Sequence, residues 1–317
     1  MNKKALAWLS VSAVLLVALF LASSTDVIIK EKKIPVYNVS VLIDNEDGSG
    51  FENFRIGMDE AALRYNVDIN FVTLYSDSRP YMQTELLLRE AEAGAQGFII
   101  SAENGNILEE MLEKAPAGIP IFVVGSPVDS PRIYGGLCPD YEGMAKSITE
   151  RLIKENGTDG HVTVVTAEKN KTGGEKMCRV MLDVCRENDV EASRVSLGGA
   201  DEAQTLLNGL SAQGGNIVIT PEIKTLEALA AANEKLEKPL PVYGVGFSGV
   251  LRRHVESGHV NATAVYDSYS AGYIAVEDII SLISGKGSFG EFQAGYIIAD
   301  KNNMYTKENE TILFPIY

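Results

Sequence analysis

The feature that most constrains the fold is an alternation of short apolar segments with amphipathic ones, which begins at Tyr37 and continues through the chain. Apolar runs of four to eight residues between turn signals are typical of buried strands, and the intervening segments repeat apolar residues at the helical period. Parallel strands need long connections, usually helices, which then cover both faces of the sheet. The alternation therefore predicts the α/β class with parallel sheets.

The predicted strands fall into two similar series. The first comprises Val39–Ile43, Val67–Leu74, Gly97–Ser101, Ile119–Val124 and Ile133–Tyr134. The second comprises Val162–Thr166, Arg194–Leu197, Asn216–Thr220, Pro241–Val245 and Val260–Tyr266. The centre of the third strand follows that of the first by 58 residues in one series and by 54 in the other. This similarity indicates an internal duplication of one βαβ lobe. We expect the carboxyl ends of the two sheets to face each other across a cleft.

The N-terminus carries an uncharged run of 18 residues, Ala5–Ala22, directly after Lys3 and Lys4. As a helix this run would span about 27 Å, close to the roughly 30 Å of a hydrocarbon core. Small residues at Ala22-Ser23-Ser24 favour a cleaved signal peptide, whereas the length of the run favours a retained signal-anchor. We expect retention, with residues 1–33 as signal-anchor and tether and the rest of the chain outside the cell membrane.

Charge and cysteine content exclude several function classes. The net charge is −15, which would repel a phosphate backbone, so we expect no nucleic-acid binding. The three cysteines are an odd number for an exported chain, and Cys178 and Cys185 share an apolar helix face, which predicts core packing. The histidines show no ligand spacing, so we predict no metal site and no cofactor.

Three motifs suggest enzyme or metal chemistry. Residues 244–249 match GxGxxG after a predicted strand, with Asp267 further on, so a dinucleotide-dependent oxidoreductase stays open as an alternative. The acidic loop 44–50 lacks the carboxylate that an EF-hand needs at its twelfth position, where Ile56 stands. The segment 246–250 lacks the last glycine of a GxSxG elbow. We therefore expect a protein that is not an enzyme.

Four phrases carry a family resemblance: Val245–Ser248, Gly258–Ala264, Gln293–Ile298 and Thr306–Asn309. With the order of elements, they resemble the periplasmic-binding-protein type I family, in particular a membrane-anchored bacterial member of its ribose/galactose-like branch. The resemblance implies two Rossmann-like lobes joined by three hinge crossovers, near Cys138–Asp140, Tyr266–Ser268 and Asn302–Tyr305. Lobe 1 would comprise 37–137 plus 268–302, and lobe 2 would comprise 138–267 plus 303–317.

Open α/β sheets bind ligands at the carboxyl ends of their strands, so the residues there are the candidate ligand contacts. These are Asp44, Asn45, Phe51, Glu103, Asn104, Ser126, Asp140, Lys169, Glu222, Phe247, Ser248, Tyr266 and Asp267. The sequence departs from the family pattern in three places: the Asp-Arg pair is Gly125-Ser126, the GFD aspartate is Ser248, and an asparagine is Pro221. Lys169 is the candidate counter-charge, since the family arginine is absent.

Together these observations predict an extracytoplasmic solute-binding protein that closes two lobes on a small polar ligand, with a sugar or polyol favoured over any anion. The resemblance implies a membrane partner, either an ABC-type importer permease or a sensor kinase. The alternatives are the oxidoreductase above and a degenerate binding domain whose cleft serves protein interaction.

Overall fold

The computed structural model describes residues 3–24, 35–44, 51–74, 82–101, 105–125, 130, 133, 135–168, 172–286 and 291–315. It divides into two compact units, Met1–Val36 and Tyr37–Tyr317. The helices are α1 Lys3–Ser24, α2 Glu52–Tyr65, α3 Met82–Glu92, α4 Gly105–Lys114, α5 Tyr141–Asn156, α6 Thr172–Glu187, α7 Ala200–Gln213, α8 Ile223–Asn233, α9 Gly249–Ser257, α10 Ser268–Ile283 and α11 Lys307–Leu313. The strands are β1 Tyr37–Asp44, β2 Val67–Leu74, β3 Gly97–Ser101, β4 Ile121–Val124, β5 Gly135–Pro139, β6 His161–Ala167, β7 Ala192–Leu197, β8 Asn216–Thr220, β9 Val242–Val245, β10 Ala262–Tyr266, β11 Glu291–Ala294 and β12 Tyr296–Ala299.

The first unit contains helix α1. Its segment Lys3–Ala22 has a mean hydropathy of 2.5 and none of it is buried. By length and composition this is the one helix among the described residues that could cross a membrane. The prediction of an apolar N-terminal helix is confirmed.

The second unit contains two six-stranded sheets with the same strand order. The first sheet runs β2-β1-β3-β4-β5-β11 and the second runs β7-β6-β8-β9-β10-β12. All pairs are parallel except β10 with β12, which is antiparallel. This is the doubly wound order in which the chain turns back after its second strand. The fold class and the internal duplication are confirmed.

Each sheet is covered on both faces, as the apolar strand patterns require. In the first sheet, Val41 packs with α2 and α10 on one face, while Leu42 packs with α3 and α4 on the other. In the second sheet, Val164 packs with α5 and α6, and Val165 packs with α7, α8 and α9. Cys178 and Cys185 lie in the core beside α5 and are almost fully buried, which confirms that they serve packing.

Helices α2 and α10 approach unusually closely, because glycines face each other's backbone. A Cβ placed on Gly57 would lie 2.9 Å from the carbonyl carbon of Tyr269, and one on Gly272 would lie 2.9 Å from that of Phe54. The carbonyl oxygens are closer still. Only glycine permits this separation, so α10, which follows the second sheet in the chain, is fixed on the first sheet.

The fifth strand lies at Gly135–Pro139; the predicted strand Ile133–Tyr134 is wrong at Ile133, which precedes it, and Tyr134 lies outside the described residues. The segment contains two glycines and a proline, residues that are depleted in strands, so its pattern does not indicate a strand. Gly136 nevertheless suits its place, because a Cβ there would lie 3.2 Å from the carbonyl oxygen of Val123 on the neighbouring strand.

The chain changes sheet at three points. The first two follow β5 and β10 and coincide with the predicted positions. The third lies at Gly295, because β11 pairs with β5 in the first sheet and β12 pairs with β10 in the second. The predicted crossover near Asn302–Tyr305 is therefore too late, and we propose that lobe 1 comprises 37–139 plus 268–294, with lobe 2 formed by 140–267 plus 296–315.

Candidate functional site

The strand order places a ligand crevice at two positions. In each sheet the helices that follow the first and third strands lie on opposite faces, which leaves a gap between the carboxyl ends of those strands. In the first sheet this gap lies between β1, which ends at Asp44, and β3, which ends at the half-buried Ser101. In the second sheet it lies between β6 and β8.

Glu222 occupies the gap in the second sheet. It follows β8 as the residue before α8, and its Oε2 accepts hydrogen bonds from the backbone N–H of Ala167 (2.6 Å) and the hydroxyl of Thr225 (3.0 Å). Ala167 is the last residue of β6, so the carboxylate joins the ends of the two strands. A half-buried carboxylate is thus fixed at the point where ligands bind in such sheets.

Arg194 is a cation near Glu222 that sequence analysis missed. Its guanidinium makes two hydrogen bonds to Glu175 on α6, and its Nε donates to the hydroxyl of Thr166 at 3.2 Å. The hydrogen bonds to Glu175 are the main cause of a raised pKa for Arg194, and the charge of Glu222 adds a small further increase. Glu175 therefore already neutralises the charge of this arginine.

Asp140 and Asp267 occupy matching positions at the first two crossovers. Their backbone angles are nearly equal, with φ −73° and ψ 72° at Asp140, and φ −73° and ψ 80° at Asp267. Each is an N-cap: Asp140 Oδ1 accepts from Gly143 N and Asp267 Oδ1 accepts from Ser270 N, both at 2.9 Å. Both carboxylates stabilise the helix that follows the crossover. A ligand contact for either one stays a prediction.

Two tyrosines lie between the lobes beside these caps. The hydroxyl of Tyr141 on α5 donates to the carbonyl of Gly125 after β4 at 2.7 Å, which links the lobes next to the first crossover. Its ring packs on Gly173, where a Cβ would lie 2.8 Å from Tyr141 Cζ. Tyr266 packs against the cores of both sheets. Burial raises the pKa of Tyr266 to about 12 and also raises the pKa of Tyr141, so both phenols stay protonated at neutral pH.

Two phenylalanines predicted to line the cleft lie on different sheets. Phe51 precedes α2 and packs edge-on against Phe54, with ring centroids 5.9 Å apart. Phe247 follows β9 and packs edge-on against Phe314 near the C-terminus, with centroids 5.5 Å apart. Both side chains are half-buried, so each keeps an exposed part beside its strand end. Their contact with a ligand stays a prediction.

The GxGxxG motif at 244–249 is explained by packing. A Cβ at Gly244 would lie 2.8 Å from the Leu226 side chain, and Gly246 has φ +103°, a conformation that L-residues rarely adopt. Ser248 caps α9 by accepting from Leu251 N at 3.2 Å, and its hydroxyl donates to Glu227 Oε1 at 2.6 Å. Ser248 is therefore buried and fixed as the N-cap of α9, and a ligand contact for it stays a prediction.

Several predicted ligand contacts cannot be placed. Asn45, Glu103, Asn104, Ser126 and Lys169 lie outside the described residues, and for Asp44 the description covers only the backbone. Within the described ranges no group of three or more His, Cys, Asp or Glu side chains has an arrangement that could hold a metal ion.

Comparison with known proteins decides the family. The model of the periplasmic binding protein domain matches residues 39–287, most of the second unit. The chain belongs to this family. Its members are non-enzymatic solute-binding proteins, which contradicts the oxidoreductase alternative for residues 244–249. No curated protein matches the chain.

Solved structures share the fold at low identity. A solute-binding protein from Agrobacterium vitis, with bound D-fucose, superposes with a TM-score of 0.78 at 17% identity over 87% of this chain and 100% of its own. A glucose-galactose binding protein from Geobacillus stearothermophilus superposes with a TM-score of 0.72 at 15% identity, over 86% of this chain and 100% of its own. A carbohydrate transporter from Acidothermus cellulolyticus, in complex with myo-inositol, superposes with a TM-score of 0.69 at 16% identity, over 85% of this chain and 96% of its own.

Proposed function

We propose that this chain is an extracytoplasmic binding protein that closes its two lobes on a neutral sugar or polyol. The observation that carries the proposal is the matched pair of doubly wound sheets, whose strand ends carry half-buried aromatic rings and fixed carboxylates. The family supports solute binding, and structural neighbours with bound D-fucose and myo-inositol support this ligand class. Closure then follows from contacts that both lobes make with one ligand.

Charge supports a neutral ligand. The carboxylates of Asp140, Glu222 and Asp267 are fixed at strand ends by hydrogen bonds from backbone N–H groups. Among the described residues near Glu222, Arg194 is engaged by Glu175 on both terminal nitrogens. Fixed carboxylates accept hydrogen bonds from sugar hydroxyls and repel phosphate groups. An amino-bearing ligand is the second candidate, because an ammonium group would pair with them.

We also propose that α1 is retained as a membrane anchor and that the closed form is read by a membrane partner. An uncleaved helix would hold the protein at the cell surface, where it reports a ligand more readily than it shuttles one. This favours a sensor kinase, while an importer permease is the partner that the family resemblance implies.

The first experiment is a thermal-shift panel on the full chain in detergent. It would include D-fucose, D-galactose, D-glucose, D-arabinose, myo-inositol, glucosamine, and glucose and galactose phosphates. A ligand at 100 times its Kd adds about 2.7 kcal/mol to the free energy of unfolding. We expect a neutral sugar or polyol to raise Tm. A shift caused only by sugar phosphates would contradict the proposal.

The second experiment is calorimetric titration of Glu222→Gln with the best compound from the panel. A charge-assisted hydrogen bond contributes about 1.5–3 kcal/mol, so its loss should weaken binding roughly ten- to hundredfold. Glu202→Gln is the matched control, because Glu202 Oε2 also accepts from a backbone N–H, that of Gly198 at 2.7 Å, but beside the edge strand β7. Equal affinities of wild type and Glu222→Gln would refute the assignment of this crevice.

A further inference from the structure

A side chain of the first lobe contacts the C-terminal helix of the second. Helix α11 belongs to the second lobe, since Leu313 is 3% exposed in the core formed with Val242 and Leu251. Asn53 lies on α2, whose buried face packs in the core of the first sheet. Its Nδ2 donates to the carbonyl of Ile312 at 3.1 Å and to that of Leu313 at 3.3 Å.

The chemistry of a helix end explains this contact. The last four carbonyls of a helix have no partner within the helix and need donors from elsewhere. Helix α11 ends at Leu313, and its cap residue Phe314 satisfies only the carbonyl of Glu310 through its backbone N–H. The two hydrogens of the Asn53 amide are donated to the last two carbonyls of the helix, those of Ile312 and Leu313, at the negative end of the helix dipole. Asn53 is thus a C-terminal cap provided by the other lobe.

The same contact lies close in sequence to one aromatic residue in each lobe. Phe51 precedes Asn53 by two residues on the first lobe. Phe314 follows Leu313 and packs on Phe247 of the second lobe, while the guanidinium of Arg252 lies 4.6 Å from the Phe314 ring centre. Separation of the lobes must therefore break the Asn53 bonds or pull the end of α11 away from Phe247 and Arg252, on which Phe314 packs.

We propose that Asn53 and the last turn of α11 form an interlobe clasp that sets how much of the ligand-free protein is closed. The proposal rests on the two-lobed binding function and adds to it a control of affinity. When the lobes separate, the carbonyls of Ile312 and Leu313 exchange the amide for water. Because the apparent affinity of a binding protein scales with its competent fraction, the clasp raises affinity for whichever ligand the cleft accepts.

The expected effect of removing the clasp is a shift of about tenfold in the ratio of closed to open protein. A tenfold ratio corresponds to about 1.4 kcal/mol, which lies within the range that two neutral hydrogen bonds contribute. Asn53→Ala removes the donors. Asn53→Asp keeps the shape but places a carboxylate against two carbonyls, so the shift should be larger.

The test measures the distance between the lobes in the full chain, held in nanodiscs with no ligand added. Spin labels would be introduced on non-natural ketone side chains at Leu63 on α2 and Val250 on α9, which are 88% and 51% exposed. Pulsed dipolar electron paramagnetic resonance spectroscopy then gives the distribution of distances between the two labels. Asn309→Ala is the matched control, because Asn309 Nδ2 donates to the carbonyl of Asn303 at 3.1 Å within the same lobe.

We expect Asn53→Ala and Asn53→Asp to move the distribution to longer separations, with Asn309→Ala as in wild type. Circular dichroism checks that each variant is folded. If Asn53→Ala does not fold, Asn53→Asp still decides the test. An unchanged distribution in both Asn53 variants, or an equal change in Asn309→Ala, would overturn the clasp. Because no ligand is present, this result is independent of whether the cleft binds a sugar.

Discussion

Replacement of Gly272 by alanine should destabilise the protein strongly, although alanine is the better helix former. Gly272 lies inside α10, where alanine alone would be favoured by about 1 kcal/mol. The contact with α2 makes the overall effect of alanine on stability unfavourable. A Cβ there would lie 2.9 Å from the carbonyl carbon of Phe54 and 3.2 Å from Cγ of Met58.

The magnitude follows from the distance. Carbon atoms pack favourably at about 3.5–4.0 Å, so the helices must separate by at least about 0.6 Å, and the backbone of α2 cannot rotate away as a side chain would. Overpacking of this kind costs typically 1–3 kcal/mol, and a backbone neighbour places it at the upper end. After the gain in helix propensity is subtracted, we expect the free energy of unfolding to fall by about 2 kcal/mol. This is a large share of the roughly 5–15 kcal/mol that is typical of a folded protein.

The assay is urea unfolding of the full chain in detergent, followed by circular dichroism. The matched control is Gly209→Ala in α7, where a Cβ would meet nothing within 4 Å. The free energy of unfolding of that variant should rise by about 0.5–1 kcal/mol. The same glycine-to-alanine substitution should therefore stabilise the protein in α7 and destabilise it in α10. Wild-type stability in Gly272→Ala would refute the close approach of α2 and α10.

Three further predictions concern pH and the membrane. Burial lowers the pKa of His254, whose Nδ1 lies 3.8 Å from Glu234 Oε2, so the unfolded chain binds more protons below about pH 6.5. Unfolding free energy should therefore fall between pH 6.5 and 5 in urea titrations, and His254→Leu should flatten this slope, by at most about 1.4 kcal/mol per pH unit. Burial, and secondarily the charge of Glu277, raises the pKa of Asp278 to about 6, so the cost of ionising Asp278 in the folded state grows as pH rises from about 4 to 6. Asp278→Asn should therefore add about 1–2 kcal/mol to the free energy of unfolding at pH 7.5 and only a small part of that at pH 4. Leu15→Arg with Leu16→Arg should move the protein from the membrane pellet to the soluble fraction after carbonate extraction, and an unchanged pellet would argue against α1 as the anchor.

The sequence predicted the strands well where their side chains carry the signal. Val162–Thr166 and Asn216–Thr220 are apolar runs between turn residues, and both lie within observed strands. The strand Gly135–Pro139 was missed because hydrogen bonds to β4 and β11 define it, while its own residues disfavour strands. The change of sheet at Gly295 was missed for a similar reason, since β11 and β12 look like one segment until their partners are known.

The candidate site was predictable in position more than in role. Strand order alone places Glu222, Asp140 and Asp267 at strand ends, but their hydrogen bonds to Ala167, Gly143 and Ser270 depend on the folded backbone. Tyr141 gave one weak signal, as an aromatic residue directly after a crossover. Asn53 gave none, because a polar residue on a helix surface looks the same whether or not another lobe supplies its acceptors.

The route of the chain through the two sheets has a consequence for the order of folding. The second sheet, apart from β12, is built from one continuous stretch, whereas the first needs α10 on its face and β11 on its edge. Between the end of β5 at Pro139 and the end of α10 at Ile283, a ribosome adds residues for about 7–30 s. During that time Val41, Ile99 and Phe122 have no α10 to cover them. The first sheet therefore cannot be completed until α10 and β11 have been made, and a holding chaperone would be most needed by the half that is made first.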